Sequence, residues 1–200
     1  DNVPSFVVGL DMEVTLPSGQ ILKYDLAYGG AFYAYVDAKA AGVQLTSNNY
    51  RQLIEKNPND RNLKLALAGV LNDKSATYFQ VAQLKPATEL LNKVEAIYKE
   101  LLEQTPNDNL LNGKLATVLA NRAETFLKLD KIPECIASYD KAIKIYQQLM
   151  SVEFETILTM RELGQCRYRR GAAYLKSQNL AAGLKDFEEA KSIRLELLDL

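Results

Sequence analysis

The sequence predicts a mainly α-helical protein, an antiparallel helix-pair repeat solenoid over residues 50–200 behind a short antiparallel β meander over residues 1–49. Three observations predict it. The composition changes near residue 50, a period of 48 residues runs through the rest of the chain, and apolar residues inside each period recur at steps of three and four. The chain of 200 residues, 48% apolar and 24% charged, has an ordinary composition for a globular protein.

The first 49 residues have a β pattern. They hold five of the ten glycines and only seven charged side chains. Val, Leu and Phe are frequent at 5–16, turn residues occupy 17–20, and 31–36 is aromatic and β-prone. We therefore expect three or four antiparallel strands and no helix in this segment.

Self-similarity at one offset marks the rest of the chain. The residue sets that are 48 positions apart are Tyr50, Tyr98 and Tyr146; Leu53, Leu101, Leu149 and Leu197; Ile54, Leu102, Met150 and Leu198; Tyr78, Phe126 and Tyr174; Leu91, Tyr139 and Phe187; Val94, Ala142 and Ala190; and Ile97, Ile145 and Ile193. Each unit is predicted to be two helices, because a turn with Pro133 separates apolar stripes at 111–129 and 136–150. Neither stripe can be buried alone, so the units must stack, giving six or seven helices.

Small and aromatic residues stand at fixed intervals in each unit. The sets are Gly171, Tyr174, Gly183, Phe187 and Ala190; Ala123, Phe126, Cys135, Tyr139 and Ala142; and, more loosely, Ser75, Tyr78, Ala87, Leu91 and Val94. This order resembles the tetratricopeptide signature. The resemblance implies that small residues lie where two helices cross closely and that aromatic residues fill the gaps between repeats. The usual period is about 34 residues, so the array resembles the extended variants with longer helices.

By this resemblance, the first helix of each pair lines a concave groove that binds a protein or peptide. The candidate groove residues are Asn72, Phe79, Asn121, Glu124, Lys128, Tyr168, Arg169 and Lys176, with Ala76 and Gln165 beside them. Some tetratricopeptide arrays hold a partner's C-terminal carboxylate in a clamp. Asn121 and Arg169 occupy two clamp positions, but the residues at 72, 76 and 165 do not match the others. We therefore favour a general peptide groove over a carboxylate clamp.

The N-terminal residues resemble a second family. The resemblance lies in Asn2-Val3-Pro4-Ser5-Phe6, Asp11-Met12-Glu13-Val14, Tyr28-Gly29-Gly30-Ala31-Phe32-Tyr33-Ala34 and Val36-Asp37-Ala38. These residues are similar to the proline racemase family, which includes hydroxyproline epimerases and trans-3-hydroxyproline dehydratases, and the similarity extends over residues 1–50. It implies inversion or dehydration of proline derivatives without a cofactor, by two acid/base residues that are usually both Cys. The family's Met-Cys-Gly-His and Cys-Gly-Thr-Gly motifs do not occur in this sequence.

The chain lacks histidine, the commonest general base in enzymes. It has two cysteines. Cys135 takes a small-residue position in a helix pair, which predicts a buried structural thiol. Cys166 lies beside Arg167, Arg169 and Arg170, whose charges would lower a thiol pKa, yet a lone thiol without histidine is weak evidence for chemistry. We expect no catalytic residues, no metal site and no cofactor, and hence no enzyme.

The expected function is a protein- or peptide-binding scaffold. The alternative is a fragment of a cofactor-independent proline racemase, hydroxyproline epimerase or 3-hydroxyproline dehydratase whose catalytic residues lie outside this chain. A third hypothesis is a structural one, in which the β segment caps one end of the array. The opening Asp1-Asn2-Val3-Pro4 indicates either an engineered boundary or a cut from a longer chain. The change near residue 50 indicates a splice of two sequences, made by a natural fusion, by a gene-model error or by engineering.

Charge and hydropathy guide the expected partners. The net charge is −1, which favours neither nucleic acid nor an anionic membrane. The three clustered arginines are expected to pair with carboxylates, and no apolar run approaches the roughly 18 residues of a membrane helix. Two isolated cysteines favour the cytoplasm. Unpaired strand edges and an exposed terminal repeat predict dimerisation through one of these two surfaces.

Overall fold

The computed structural model describes residues 5–15, 19, 21–29, 32–36 and 60–199. The chain divides into two compact units, Asp1–Asp60 and Arg61–Leu200. The predicted boundary between residues 49 and 50 lies outside the described residues, as does the first copy of the period at Tyr50. Within the described part of the chain, no helix has the length and apolar character that a membrane crossing requires.

Three antiparallel strands form the N-terminal sheet, in the order β1–β2–β3. They are β1 (Ser5–Thr15), β2 (Ile21–Gly29) and β3 (Phe32–Val36). The turn between β1 and β2 contains Gly19 at a φ of +83°, a conformation that glycine adopts without steric cost. The register of β1 on β2 shifts between Val7 and Met12, and β3 pairs with β2 without a shift. The predicted meander is confirmed, with three strands.

Six helices are seen in the described residues of the second unit. They are α1 (Arg61–Gln80), α2 (Leu84–Gln104), α3 (Asn109–Lys128), α4 (Ile132–Ser151), α5 (Thr156–Lys176) and α6 (Leu180–Glu196). Each helix packs on the next along the chain, and α3 also contacts α5. Three helix pairs therefore stack side by side, with α1, α3 and α5 as the first helices. The predicted tetratricopeptide-like helical repeat is confirmed.

The turn inside each pair has the same geometry. Its central residue is left-handed, with φ of +57° at Ala82, +59° at Asp130 and +61° at Gln178. The amide N–H of the following residue donates to a carbonyl five positions back, at 2.8–2.9 Å in all three turns. This bond closes a Schellman motif, which satisfies the last carbonyls of the first helix and turns the chain back on itself.

The two connections between pairs differ. Before α3, the carboxylate of Asp108 accepts a hydrogen bond from the backbone N–H of Leu111 at 2.9 Å, a side-chain N-cap. Before α5 the Pro-Asn-Asp sequence is absent, and Glu153 and Glu155 take positive φ values of 54° and 41°. The helix is nevertheless broken there, because α4 ends at Ser151 and α5 begins at Thr156.

The small residues that the signature places at the helix crossings are buried in all three pairs. They are Ser75 and Ala87, Ala123 and Cys135, and Gly171 and Gly183. At the third crossing, the carbonyl of each glycine lies 3.1 Å from where a Cβ would stand on the other. The core extends from these crossings through the second helices, with buried Leu91, Val94, Leu101, Tyr139, Ala142, Ile143, Tyr146 and Leu149.

The glycine crossing gives a stability prediction. In Gly171→Ala, the new Cβ would lie 3.0 Å from the Phe187 ring and 3.1 Å from the Gly183 carbonyl oxygen. Overpacking of this kind costs about 1–3 kcal/mol, which exceeds the gain of about 1 kcal/mol that alanine brings to a helix. We expect a net loss of about 1 kcal/mol in the free energy of unfolding, measured by urea denaturation.

A matched variant separates packing from helix propensity. Gly69 lies in α1, where nothing stands within 4 Å of an added Cβ. Gly69→Ala should therefore stabilise the protein, by up to about 1 kcal/mol. An unfolding midpoint that rises in both variants would contradict the close approach of α5 and α6.

Candidate functional site

An open cavity of about 300 Å³ lies where the first helices of the three pairs meet. Its lining residues are Ser75, Ala76, Phe79 and Gln80 of α1, Leu91 of α2, Asn121, Glu124 and Thr125 of α3, and Arg169 of α5. Each helix pair therefore contributes to one site. This surface is what we call the groove.

The groove opens where the first pair has a smaller side chain than the repeat pattern provides. Leu91 occupies the position that Tyr139 and Phe187 hold in the second and third pairs. Ala76, by contrast, has its equal in Ala172 of the third pair, and only the second pair has a larger residue, Glu124. Because leucine fills less space than tyrosine or phenylalanine, the cavity opens as a hollow beside a position where the first pair has the smallest side chain.

Four of the predicted groove residues line this cavity: Phe79, Asn121, Glu124 and Arg169. A fifth, Lys128, places its Nζ 3.9 Å from the centroid of the Phe79 ring, close enough for a cation–π contact. The structure thus brings together five of the eight side chains, from three different helices.

The other three predicted residues lie elsewhere. Tyr168 lines a different cavity with residues of α6. Lys176 is exposed near the end of α5, and Asn72 is half-buried in α1. The Oδ1 atom of Asn72 is buried and has no hydrogen-bond partner among the described residues.

A charged network forms one wall of the groove. The hydroxyl of Tyr139 donates a hydrogen bond to Glu124 Oε1, and Arg169 Nη1 lies 2.7 Å from the same oxygen. Burial and the hydrogen bond to Glu124 raise the pKa of Tyr139, so it stays a neutral donor. Burial lowers the pKa of Arg169, but bonding to Glu124 outweighs it and the net pKa rises. The charge of Arg169 is therefore already balanced by Glu124, which makes Arg169 a weaker ligand for the C-terminal carboxylate of a partner.

Some groove residues were not predicted as site residues. Ser75, Gln80, Leu91 and Thr125 line the cavity, and Tyr139 holds Glu124 in place. Leu91 and Tyr139 were expected only as core positions of the repeat. Comparison of the three units already shows leucine in place of an aromatic residue at 91, and this signal could have located the hollow.

The arginine cluster of α5 is paired with carboxylates, as predicted. Arg167 pairs with Glu189, and Arg170 lies 2.6 Å from both Asp140 and the buried Asp186. These ion pairs join α5 to α4 and to α6. The arginines therefore stabilise helix packing and do not form a free basic patch for nucleic acid.

Both thiols are buried in the helical unit. Burial, reinforced by Glu124, raises the pKa of Cys135 to about 12. Burial, reinforced by Glu162, also raises the pKa of Cys166 to about 12, although Arg169 and Arg170 act in the opposite direction. The expected lowering of the Cys166 pKa by its arginine neighbours is wrong, because burial outweighs their charges. In the described part of the chain, no His, Cys, Asp or Glu side chains cluster as metal ligands would.

Comparison with known sequences bears out the N-terminal resemblance. The family described as proline racemase matches residues 1–86, beyond the predicted residues 1–50 and into α1 and α2. A 4-hydroxyproline 2-epimerase of Allorhizobium ampelinum is 45% identical over 53 residues, 26% of this chain and 15% of that protein. The human trans-3-hydroxy-L-proline dehydratase is 41% identical over 54 residues, 27% of this chain and 15% of that protein. The chain thus spans about 15% of the length of these curated relatives.

Comparison with solved structures returns tetratricopeptide proteins. The first tetratricopeptide domain of Spaghetti, bound to an HSP90 peptide, has a TM-score of 0.44 and 20% identity over 64% of this chain and 79% of that chain. The N-terminal domain of STI-1 from C. elegans has a TM-score of 0.45 and 17% identity over 68% of this chain and 92% of that chain. The match over residues 1–86 and the stacked helix pairs together show a chain that joins a segment similar to proline racemases to a tetratricopeptide-like helical repeat.

The buried thiols give a reactivity prediction. At pH 8, a thiol with a pKa of about 12 has roughly one thiolate in 10,000 molecules, against about one in four for an ordinary cysteine. We expect the folded protein to react with a disulfide reagent such as DTNB about 100-fold or more slowly than the chain unfolded in guanidinium. The unfolded chain should release two equivalents. Fast reaction of Cys166 in the folded protein would point to a reactive thiol.

Proposed function

We propose that the helical unit is a binding scaffold that holds an extended segment of a partner protein in the groove. The observation that carries this proposal is the position of the cavity, which receives side chains from α1, α3 and α5. A segment lying across the three first helices would touch all three repeat units at once. Such a shared concave surface is how helical arrays bind their partners.

The lining favours a particular kind of segment. Phe79 and Leu91 provide an apolar wall for one apolar side chain of the partner. Gln80 and Asn121 are exposed at the rim, and their amides can both donate to and accept from a peptide backbone. Because Arg169 already pairs with Glu124, an internal segment suits the groove better than a free C-terminal carboxylate.

A groove-filling variant tests this proposal. Peptides are selected from a library with blocked termini against the full chain, and their affinity is then measured by fluorescence anisotropy. Ala76 is exposed and lines the cavity, so Ala76→Arg should lower affinity about tenfold or more by occupying the hollow. The matched control is Ala96→Arg on the exposed side of α2, outside the groove. Equal loss in both variants, or in neither, would rule out the groove as the binding site.

The similarity of residues 1–86 to proline racemases favours a second candidate function, as part of an enzyme of that class. We infer that this chain alone does not turn over proline derivatives. Inversion at the α-carbon needs an acid/base group on each face of the substrate. The two cysteines are buried in the helical repeat with raised pKa values, and the chain has no histidine.

Proton exchange tests this inference without any assumption about product. The full chain is incubated with L-proline or trans-4-hydroxy-L-proline in deuterated buffer, and the α-proton signal is followed by NMR. We expect no loss of that signal beyond a protein-free control. Exchange that grows with protein concentration would instead establish the enzyme function, whatever the groove binds.

A further inference from the structure

A second surface of the helical unit lies at the end formed by α5 and α6. Its residues line an open cavity of about 330 Å³ that is separate from the groove: Tyr168, Phe187, Ala190, Lys191, Arg194, Leu195 and Leu198. We call this surface the terminal face. Leu195 and Leu198 are well exposed, at 53% and 82% of their full accessible surface, whereas Phe187 is half-buried and Ala190 is buried.

The residues of the terminal face that lie in α6 have counterparts in α4, one repeat earlier in the chain. Tyr139, Ala142, Ile143 and Tyr146 of α4 stand 48 positions before Phe187, Ala190, Lys191 and Arg194. All four residues of α4 are at most 3% exposed, and the helix that packs next on α4 is α5. The terminal face thus has the backbone geometry of a surface that receives a helix.

Two substitutions distinguish the terminal face from its earlier copy. Lys191 and Arg194 stand where α4 has Ile143 and Tyr146. Lys191 is exposed. Arg194 donates to Gln165 Oε1 at 3.3 Å, and its guanidinium lies 5.0 Å from the centroid of the Tyr168 ring. Neither forms an ion pair with any carboxylate in the described residues, unlike Arg167, Arg169 and Arg170.

We propose that the terminal face binds an amphipathic helix of a partner protein, with an apolar stripe and acidic residues on either side of it. The occupant is a helix because the equivalent residues of α4 are buried, and α5 is the helix that packs on α4 beyond its own pair. It is acidic because two cations at the edge of an apolar surface are left without a counter-charge. A second copy of this chain fits less well, since a two-fold axis here would bring Lys191 and Arg194 close to the same cations.

The probe is a designed peptide of the same 21-residue length as α5, with leucines at steps of three and four and glutamates on both flanks. Its matched control has lysine in place of every glutamate. Binding to the full chain is measured by fluorescence anisotropy at low salt. We expect the acidic peptide to bind and the basic peptide to bind about tenfold more weakly or not at all.

Charge reversal locates the site. The double variant K191E/R194E should weaken the acidic peptide about tenfold and strengthen the basic peptide. The control K141E/K144E has the same change in net charge on exposed lysines of α4 and should leave both affinities unchanged. Circular dichroism and the melting temperature check that each variant folds. The variant Leu198→Asp tests the apolar part of the terminal face, and because Leu198 is already exposed, the change should not disturb folding.

Each other outcome overturns the proposal. Equal affinity for the two peptides, or equal effects of the two double variants, would mean that Lys191 and Arg194 do not select the partner. Loss of acidic-peptide binding in Ala76→Arg would place the peptide in the groove. A chain that sediments as a dimer, and as a monomer after Leu198→Asp, would identify a second copy as the occupant. Failure here leaves the groove proposal intact, because the groove is tested by different variants and peptides.

Discussion

The close crossing of two helices is the constraint on which the helical unit depends. In the third pair, Gly171 and Gly183 let the helix backbones approach closely, and the corresponding small residues of the other two pairs are buried. The left-handed turn that follows the first helix returns the chain at the right angle for this contact. Leu91 and Tyr139, each four positions after the second small residue of its pair, then lie beside groove residues, whereas Phe187 packs on Gly171 and Tyr168 of its own pair. Cys135 is explained by the same constraint: it is a small buried side chain at a crossing, with a thiol kept protonated.

Sites arise where one repeat departs from the others. Leu91 stands where the other two pairs have Tyr139 and Phe187, and the groove opens beside this smaller side chain. Lys191 and Arg194 add charge to the third pair, at the edge of the apolar terminal face. Because the backbone of the three pairs is set by the crossings, these substitutions change the surface chemistry without changing the fold.

The sequence period predicted the helix pairs and the positions of their small residues, because each depends on residue type at a regular spacing. The pairing of the arginines was predicted from their clustering instead. Five of the eight groove residues predicted from the tetratricopeptide resemblance meet. Tyr168 does not, because its ring lies 5.4 Å from that of Phe187 on the terminal face. The predicted lowering of the Cys166 pKa was wrong. The sequence shows the arginines beside Cys166, but only the packed structure shows that the thiol is buried. The Tyr139–Glu124–Arg169 network likewise depends on side-chain directions across three helices, which a period cannot supply.

Helix α1 belongs both to the segment that matches proline racemases, residues 1–86, and to the helical repeat, in which it is the first helix of the array. Its buried side chains serve the array: Ser75 forms the crossing with α2, and Lys64 pairs with Glu100 of α2 at 2.7 Å. Ala76 and Phe79 then provide one wall of the groove. The racemase-like sequence therefore contributes directly to the groove, and an array that began at α3 would lack both the hollow beside Leu91 and the ring that Lys128 covers.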